Sequence, residues 1–300
     1  MKKAFALILP LTICALILSS CSKSNNSSAG ANSASSNFDT SRSISVTARE
    51  DGSGTKSAFM ELIGLKGKAD PAGVIMQNST AGVLTEVTGN PTAIAYESLG
   101  YVTGEVKMLK IEGVEATVAN IKDGAYKICR PLSVVYQDTV LDTPLYNAFY
   151  IFLQSKDAFE IIGDKGYITI LDASAPYMID GSLSGTINIT GSTSLQPLMV
   201  ELAQKYENLQ PNVTVNVGGG GSGQGYSDAE DSVSEFGMIS EEFSAEKAPG
   251  CVFYTVCKDG IAVIVHKDNP LDNITVEQLK NIYDAEADAN AITKWNELIN

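Results

Sequence analysis

The sequence predicts an α/β fold with mostly parallel sheets, and three observations carry that prediction. Apolar runs of strand length alternate with helix-periodic stretches along most of the chain. Three of the strand-to-helix joints are short and rich in Gly, Ser and Thr. Composition is that of an ordinary globular protein, at 44% hydrophobic and 7% aromatic. Together these place short turns at one edge of each sheet, where such folds hold ligands.

The elements read as follows. Ile44–Ala48 is a strand, followed by a glycine turn and a helix through Ser57–Leu62. Thr92–Tyr96 and Val106–Lys110 read as strands, Tyr146–Phe159 spaces its apolar residues as one helix, and Tyr167–Leu171 closes that half. A polar, turn-rich stretch over 172–185 separates the halves. The second half opens with the strand Thr186–Ile189 and a helix from Leu195 to Glu207, whose Leu198, Leu202 and Tyr206 share one face at steps of four. Strands over Val213–Val217 and Gly260–Val265 come next, then a helix over Thr275–Tyr283 capped by Thr275.

The first residues point to a compartment. Met1-Lys2-Lys3, an apolar run from Ala4 to Leu18 and the closing Leu18-Ser19-Ser20-Cys21 describe a secretory signal over 1–21. The run is short for a membrane span, and Leu-Ser-Ser-Cys resembles a bacterial lipobox with Cys21 as the lipidated residue. Residues 22–42, dominated by Ser, Asn, Ala and Gly, have too little apolar surface for a core and read as a tether. The expected address is the extracytoplasmic face of the cell membrane, reached through the lipid anchor alone.

Charge and special residues narrow the function. A net charge of −14 leaves no basic stripe for nucleic acid. It does not exclude a small anion, because a buried pocket is governed by the donors that line it. Cys129, Cys251 and Cys257 are an odd set, so at least one is free. If the run between Cys251 and Cys257 is a strand, those two sulfurs sit roughly 20 Å apart, too far to bridge. A pair with Cys129 stays open, and buried free thiols are preferred. The lone His266 has no Cys/His cluster to build a zinc site, and no Ser-His-Asp arrangement has support. No cofactor, no metal and no catalytic residue is expected.

The chemistry lies in three turns: Arg49-Glu50-Asp51-Gly52-Ser53-Gly54-Thr55, Gly191-Ser192-Thr193-Ser194 and Gly220-Gly221-Ser222-Gly223. Glycines let backbone N–H groups approach an oxyanion, hydroxyls donate to it, and each following helix turns its positive end toward it. Arg49 adds a permanent charge whose fork matches two oxygens. The spacing is not that of a P-loop. Without a nucleophile, base or metal cage nearby, such a site is built to hold an anion.

Arg49–Phe59 resembles the signature of the phosphate-binding component of bacterial ABC phosphate transporters. Asn78–Val83, Ala93–Tyr101, Gly191–Ser194, Gly220–Gly225, Phe236–Met238 and Asp259–Val265 are similar to further segments of that family. The resemblance implies a two-lobed periplasmic binding protein-like fold, each lobe a mostly parallel sheet flanked by helices, with the ligand in the interlobe cleft. The implied partners are inorganic phosphate and the permease subunits of an ABC transporter, with the chain acting as a monomer. The family pattern puts Arg49, Ser53, Gly54 and Thr55 on phosphate from one lobe, and Thr193, Ser194 and Ser222 from the other. Ser240 adds a hydroxyl. Asp51 is then the carboxylate that accepts the proton of monohydrogen phosphate and so rejects sulfate. Arg130 is read as structural.

The segment order differs from the family's, in which the Gly-Ser-Thr-Ser turn comes first. The chain reads as a circular permutation, with a truncated tandem protein as the rival explanation. Permutation predicts that the two ends of the fold lie close together. It divides the folded part into 43–176 and 186–300, joined by a linker over 177–185. One lobe then holds 44–105 with 267–300, and the other 106–176 with 186–266. An alternative reading keeps the fold but makes the chain a surface sensor or scavenger of another oxyanion, working through a partner that is not a permease. A phosphate-ester hydrolase has the least support.

Overall fold

The structure, a computed structural model, describes residues 38–171 and 175–299. The signal and lipobox expectations, and most of the tether, fall outside the described residues. From the amino-terminal side, β1 (Ser45–Arg49) leads into α1 (Gly54–Leu62), β2 (Ile75–Gln77), α2 (Thr80–Gly89) and β3 (Ala93–Ser98). Next come β4 (Val106–Met108), β5 (Lys110–Ile111), α3 (Val118–Lys122) and the long β6 (Cys129–Gln137). The helices α4 (Pro144–Leu153) and α5 (Lys156–Asp164) precede a second alternating run. It comprises β7 (Gly185–Gly191), α6 (Gln196–Leu209), β8 (Val213–Gly220), α7 (Ser222–Glu230) and β9 (Phe236–Ile239). The chain finishes with β10 (Cys251–His266), β11 (Asn273–Ile274) and α8 (Val276–Tyr283).

Nine strands form one curled sheet in the order β2-β1-β3-β10-β6-β9-β7-β8, with β4 also on β10, and β5 pairs with β11 in a separate two-stranded sheet. β1 runs parallel to β2 and β3, and β7 parallel to β8 and β9. These are the two βαβ runs that the alternation predicts. Between them, β10 pairs antiparallel with β3, β4 and β6, and β6 with β9.

Two large cores divide this sheet into lobes, with a small third cluster around Tyr226 and Ile239. The first lobe packs Phe59 on Tyr96, with ring centroids 4.0 Å apart, and Tyr283 edge-on to Phe59 at 5.1 Å. Trp295 is fully buried in the same core. The second packs Phe149, Phe152, Tyr206 and Phe236. β10 serves both, since Val256 and Cys257 lie in the second core and Ile261–Val265 in the first. On β6 the division falls between Cys129, against the first core, and Leu132, inside the second. Residues 106–128 therefore pack with the first lobe, further along the chain than the 105/106 boundary read from the sequence. The reason is that β4 pairs with β10, and β5 with β11, both beside the first core.

Other elements differ from their sequence reading for local reasons. The single helix expected over Tyr146–Phe159 is broken, because Ser155 accepts the N–H of Ala158 at 3.3 Å and caps a new helix, α5. Val106–Lys110 splits into β4 and β5 at Leu109, whose N–H donates to Val263 while that of Lys110 donates to Asp272. Tyr167–Leu171 contributes one bridge, Ile168 to Lys258. The two runs flanking Lys258 form one 16-residue strand with an irregularity between Thr255 and Cys257. Cys129, Cys251 and Cys257 are all free thiols, and the last two are buried. The caps expected from sequence hold at Thr275, where a full capping box forms with Gln278.

The two ends of the folded region meet. Ser43 bridges Lys294, the N–H of Ile44 donates to Thr293 at 2.8 Å, and that of Asn296 donates to Thr40 at 2.7 Å. Closeness of this kind is what a circular permutation would require. In the second lobe α7 lies directly on β9: a Cβ on Gly237 would sit 1.8 Å from the Gly225 carbonyl oxygen. That contact brings the turn at Ser222 against the one at Ser240.

Candidate functional site: a buried cluster of turns between two lobes

Arg49 ends β1, and its guanidinium is almost wholly buried. Its Nε donates to the carbonyl of Gln77 at 3.2 Å. Its Nη2 donates to the carbonyl of Asn78 at 3.2 Å and to Thr193 Oγ1 at 3.1 Å. Its Nη1 is buried with no hydrogen-bond partner among the described residues. A charged donor in that state is costly to keep, and a bound anion would satisfy it.

Four turns converge around it. After β1, Ser53 caps α1, and Ser53 and Thr55 are buried. After β7, Ser192 accepts the N–H groups of Ser194 and Leu195, which fixes the turn and places Ser194 inward. After β8, Gly221 takes φ 86° and starts α7 at Ser222, which is wholly buried. After β9 comes Ser240, whose N–H donates to Ser222 Oγ at 3.0 Å.

The two lobes touch through these turns. Thr55 Oγ1 and Ser194 Oγ are 2.8 Å apart. The N–H of Gly223 donates to the carbonyl of Gly52 at 2.9 Å. A Cβ on Gly54 would lie 2.2 Å from Ser222 Oγ, so the lobes close to this distance because position 54 has no side chain. Of the sequence-predicted set, Arg49, Ser53, Gly54, Thr55, Thr193, Ser194, Ser222 and Ser240 thus come together. The arrangement supplies a guanidinium, several hydroxyls and the amino-terminal ends of α1, α6 and α7. That is a donor set for an oxyanion.

Asp51 does not join them, which corrects the expectation that it meets the anion's proton. Its side chain is 97% exposed at the crest of the turn before Gly52, where φ is 85°. There it accepts from Lys56 Nζ at 2.8 Å, and that ammonium holds its carboxyl below the usual carboxylate range. Lys56 also binds Asp70. Both groups open onto a cleft of about 1010 Å³ bounded by Asp51, Lys56, Lys66 and Asp70 on one side and Glu241, Phe243 and Lys247 on the other. Replacing Asp51 with asparagine is expected to leave affinity for an oxyanion such as phosphate within roughly threefold of wild type, since an exposed pair contributes little. Calorimetric titration of the variant checks this.

Sequence reasoning missed the two carboxylates beneath the site. Glu97 on β3 is completely buried, and Asp259 on β10 pairs with Arg130 on β6 at 3.2 Å. Arg130 Nη1 also donates to the carbonyl of Ser240 at 3.0 Å, and Asp259 accepts the N–H of Gly100. Arg130 is thus structural, as read from sequence, and it anchors the Ser240 turn. The available signal was Glu97 itself, a charged residue inside a strand whose six residues are all buried. Among the described residues, no group of three or more His, Cys, Asp or Glu is placed to hold a metal ion. None of the helices there is long and apolar enough to cross a membrane.

Comparison with known proteins places this geometry. Residues 29–157 and 179–300 match the PBP superfamily domain. The chain is 33% identical over 276 residues to phosphate-binding protein PstS 2 of Streptococcus pneumoniae serotype 4, covering 90% of this chain and 92% of the relative. The chain belongs to the PstS family. A second PstS 2, from Streptococcus agalactiae serotype V, is 35% identical over 266 residues, covering 85% of this chain and 87% of that one. The crystal structure of a phosphate-binding protein of a phosphate ABC transporter from S. pneumoniae TIGR4 superposes with a TM-score of 0.67 at 32% identity. It covers 86% of this chain and 100% of its own. This PstS-family chain therefore has the two-lobed architecture of the periplasmic binding proteins.

Proposed function

We propose that the chain captures inorganic phosphate outside the cytoplasmic membrane and delivers it to the permease of an ABC transporter, held near the membrane by lipid on Cys21. The observation that carries this reading is the buried, unpartnered Nη1 of Arg49, surrounded by hydroxyls and helix ends from both lobes. The phosphate-binding names of its PstS relatives support the choice of anion. The ligand-binding set we assign is Arg49, Ser53, Gly54 and Thr55 from the first lobe with Thr193, Ser194, Ser222 and Ser240 from the second. The meeting of the lobes at this set supports a cleft that closes on its ligand by hinge motion in β6 and β10. Nothing in the set acts as nucleophile or general base, so the role is binding and release.

The exposure of Asp51 keeps a second reading in play, in which the chain senses or scavenges another oxyanion. Calorimetric titration of the soluble, unlipidated protein with phosphate, sulfate and molybdate separates the two. Binding of phosphate in preference to sulfate is the expected result. Binding of sulfate but not phosphate would overturn the phosphate assignment.

A further inference from the structure

Four charged side chains lie almost wholly inside the protein on four successive strands of the sheet, β1, β3, β10 and β6. Arg130 and Asp259 are bonded to each other, so their charges cancel. Arg49 and Glu97 are different. Ser45 pairs with Ala93 and Val46 with Ile94, so β1 and β3 run side by side toward Arg49 and Glu97, with the Tyr96 hydroxyl accepting the Arg49 N–H across the gap between them. Yet the two form no ion pair: Glu97 Oε1 accepts the N–H of Ser98 at 2.7 Å, while Oε2 is buried without a partner among the described residues. One unpartnered donor and one unpartnered acceptor thus remain within one buried charge cluster, directly beneath the turns.

We propose that Glu97 is the proton-linked counter-charge of the anion site, balancing Arg49 while the cleft is empty and taking up a proton when an anion occupies Arg49. The inference rests on the reading of the cleft as an oxyanion site. With Glu97 ionised the four groups sum to zero, so an incoming anion meets no net positive charge and adds a negative one close to a buried carboxylate. With Glu97 neutral they sum to +1, which offsets part of the anion's charge. In a water-poor interior the second state wins by Coulomb's law, and the proton comes from solvent as the lobes close.

The surroundings agree. Burial lifts the Glu97 carboxyl to about 7 even with no anion present, with Arg49 the strongest opposing influence and Arg130 and Asp259 also acting on it. Tyr96 of its own strand is held protonated by burial far above this range. Asp259 is raised by burial but is tied to Arg130 and to the N–H of Gly100. Glu97 is therefore the group of this cluster that changes charge near neutrality, and it does so beside the anion's arginine.

The test is calorimetric titration with phosphate at about pH 8, in buffers of different ionisation enthalpy, on wild type and Glu97→Gln. Subtracting the variant removes phosphate's own titration. Wild type should take up close to one proton more than the variant, and its Kd should weaken by about a further tenfold per pH unit from roughly pH 7.5 to 9. Carboxyl-carbon NMR of Glu97 in the wild-type protein supplies a readout that needs no variant: phosphate should move its titration upward. Equal proton uptake by wild type and variant, or a Glu97 titration unmoved by phosphate, would overturn the proposal while leaving phosphate binding intact. Failure of wild type to bind phosphate at all would bring down the function itself, and this inference with it.

Discussion

Replacing Arg49 with alanine is expected to weaken phosphate binding by roughly 100-fold, about 3 kcal/mol, while the protein stays folded. The size follows from what is lost. Nη1 has no partner among the described residues, and Nη2 reaches across to Thr193 of the opposite lobe. Truncation removes a charge-assisted donor from a desolvated site and a strut between the lobes together. Folding should survive because Arg49 ends its strand, and removing a buried guanidinium also removes its desolvation cost. Arg49→Lys keeps the charge but loses the fork that binds Gln77 and Asn78, so about a tenfold weakening is expected there. Titration calorimetry gives both affinities, and far-UV circular dichroism reports the fold.

Gly54→Ala should weaken phosphate binding to a similar degree by a different route. The added methyl would lie 2.2 Å from Ser222 Oγ, 2.7 Å from Ser240 Oγ and 2.9 Å from Ser222 Cβ. Ser222 has no room to yield, being wholly buried and already accepting the N–H of Ser240. Within its own lobe the change is benign, since position 54 begins α1 and alanine is the better helix former. The strain therefore falls on closure alone, and we expect an affinity loss of about 100-fold with little change in thermal stability. Small-angle scattering should find the phosphate-saturated variant more extended than wild type. Gly223→Ala offers a graded comparison: its methyl would meet the Gly52 Cα at 3.4 Å, and a milder loss should follow.

Much of this site was legible in the sequence because its donors sit in turns. Gly, Ser and Thr at strand-to-helix joints announce both the turn and its exposed donors. The three turns could thus be picked out from residue type and position, and the family resemblance implied Ser53, Thr55, Ser194 and Ser222 within them. The order of those turns, with Arg49 before Ser192, also signalled that the ends of the fold would meet, as Ser43 and Lys294 do. Asp51 misled because a carboxylate one residue from Gly52 gives no sign of which way the turn faces. Lys56, five residues on, draws it outward. The strands β6 and β10 were only partly visible, since they serve both cores and their polar residues are internal. Arg130 and Asp259 look like strand ends in sequence and are buried partners in the fold. The break at Ser155 was written in a capping residue that the apolar periodicity around it concealed.

The central claim is that one anion is held jointly by Arg49 and by the hydroxyl turns of the opposite lobe. A crystal structure of the protein grown with phosphate tests it most directly. The account predicts a phosphate ion accepting from Arg49 Nη1, from the Ser53–Thr55 turn, and from Thr193, Ser194 and Ser222, with Asp51 still turned away beside Lys56. Phosphate bound instead in the outer cleft between Lys56 and Lys247, with Arg49 Nη1 left unpartnered, would contradict it.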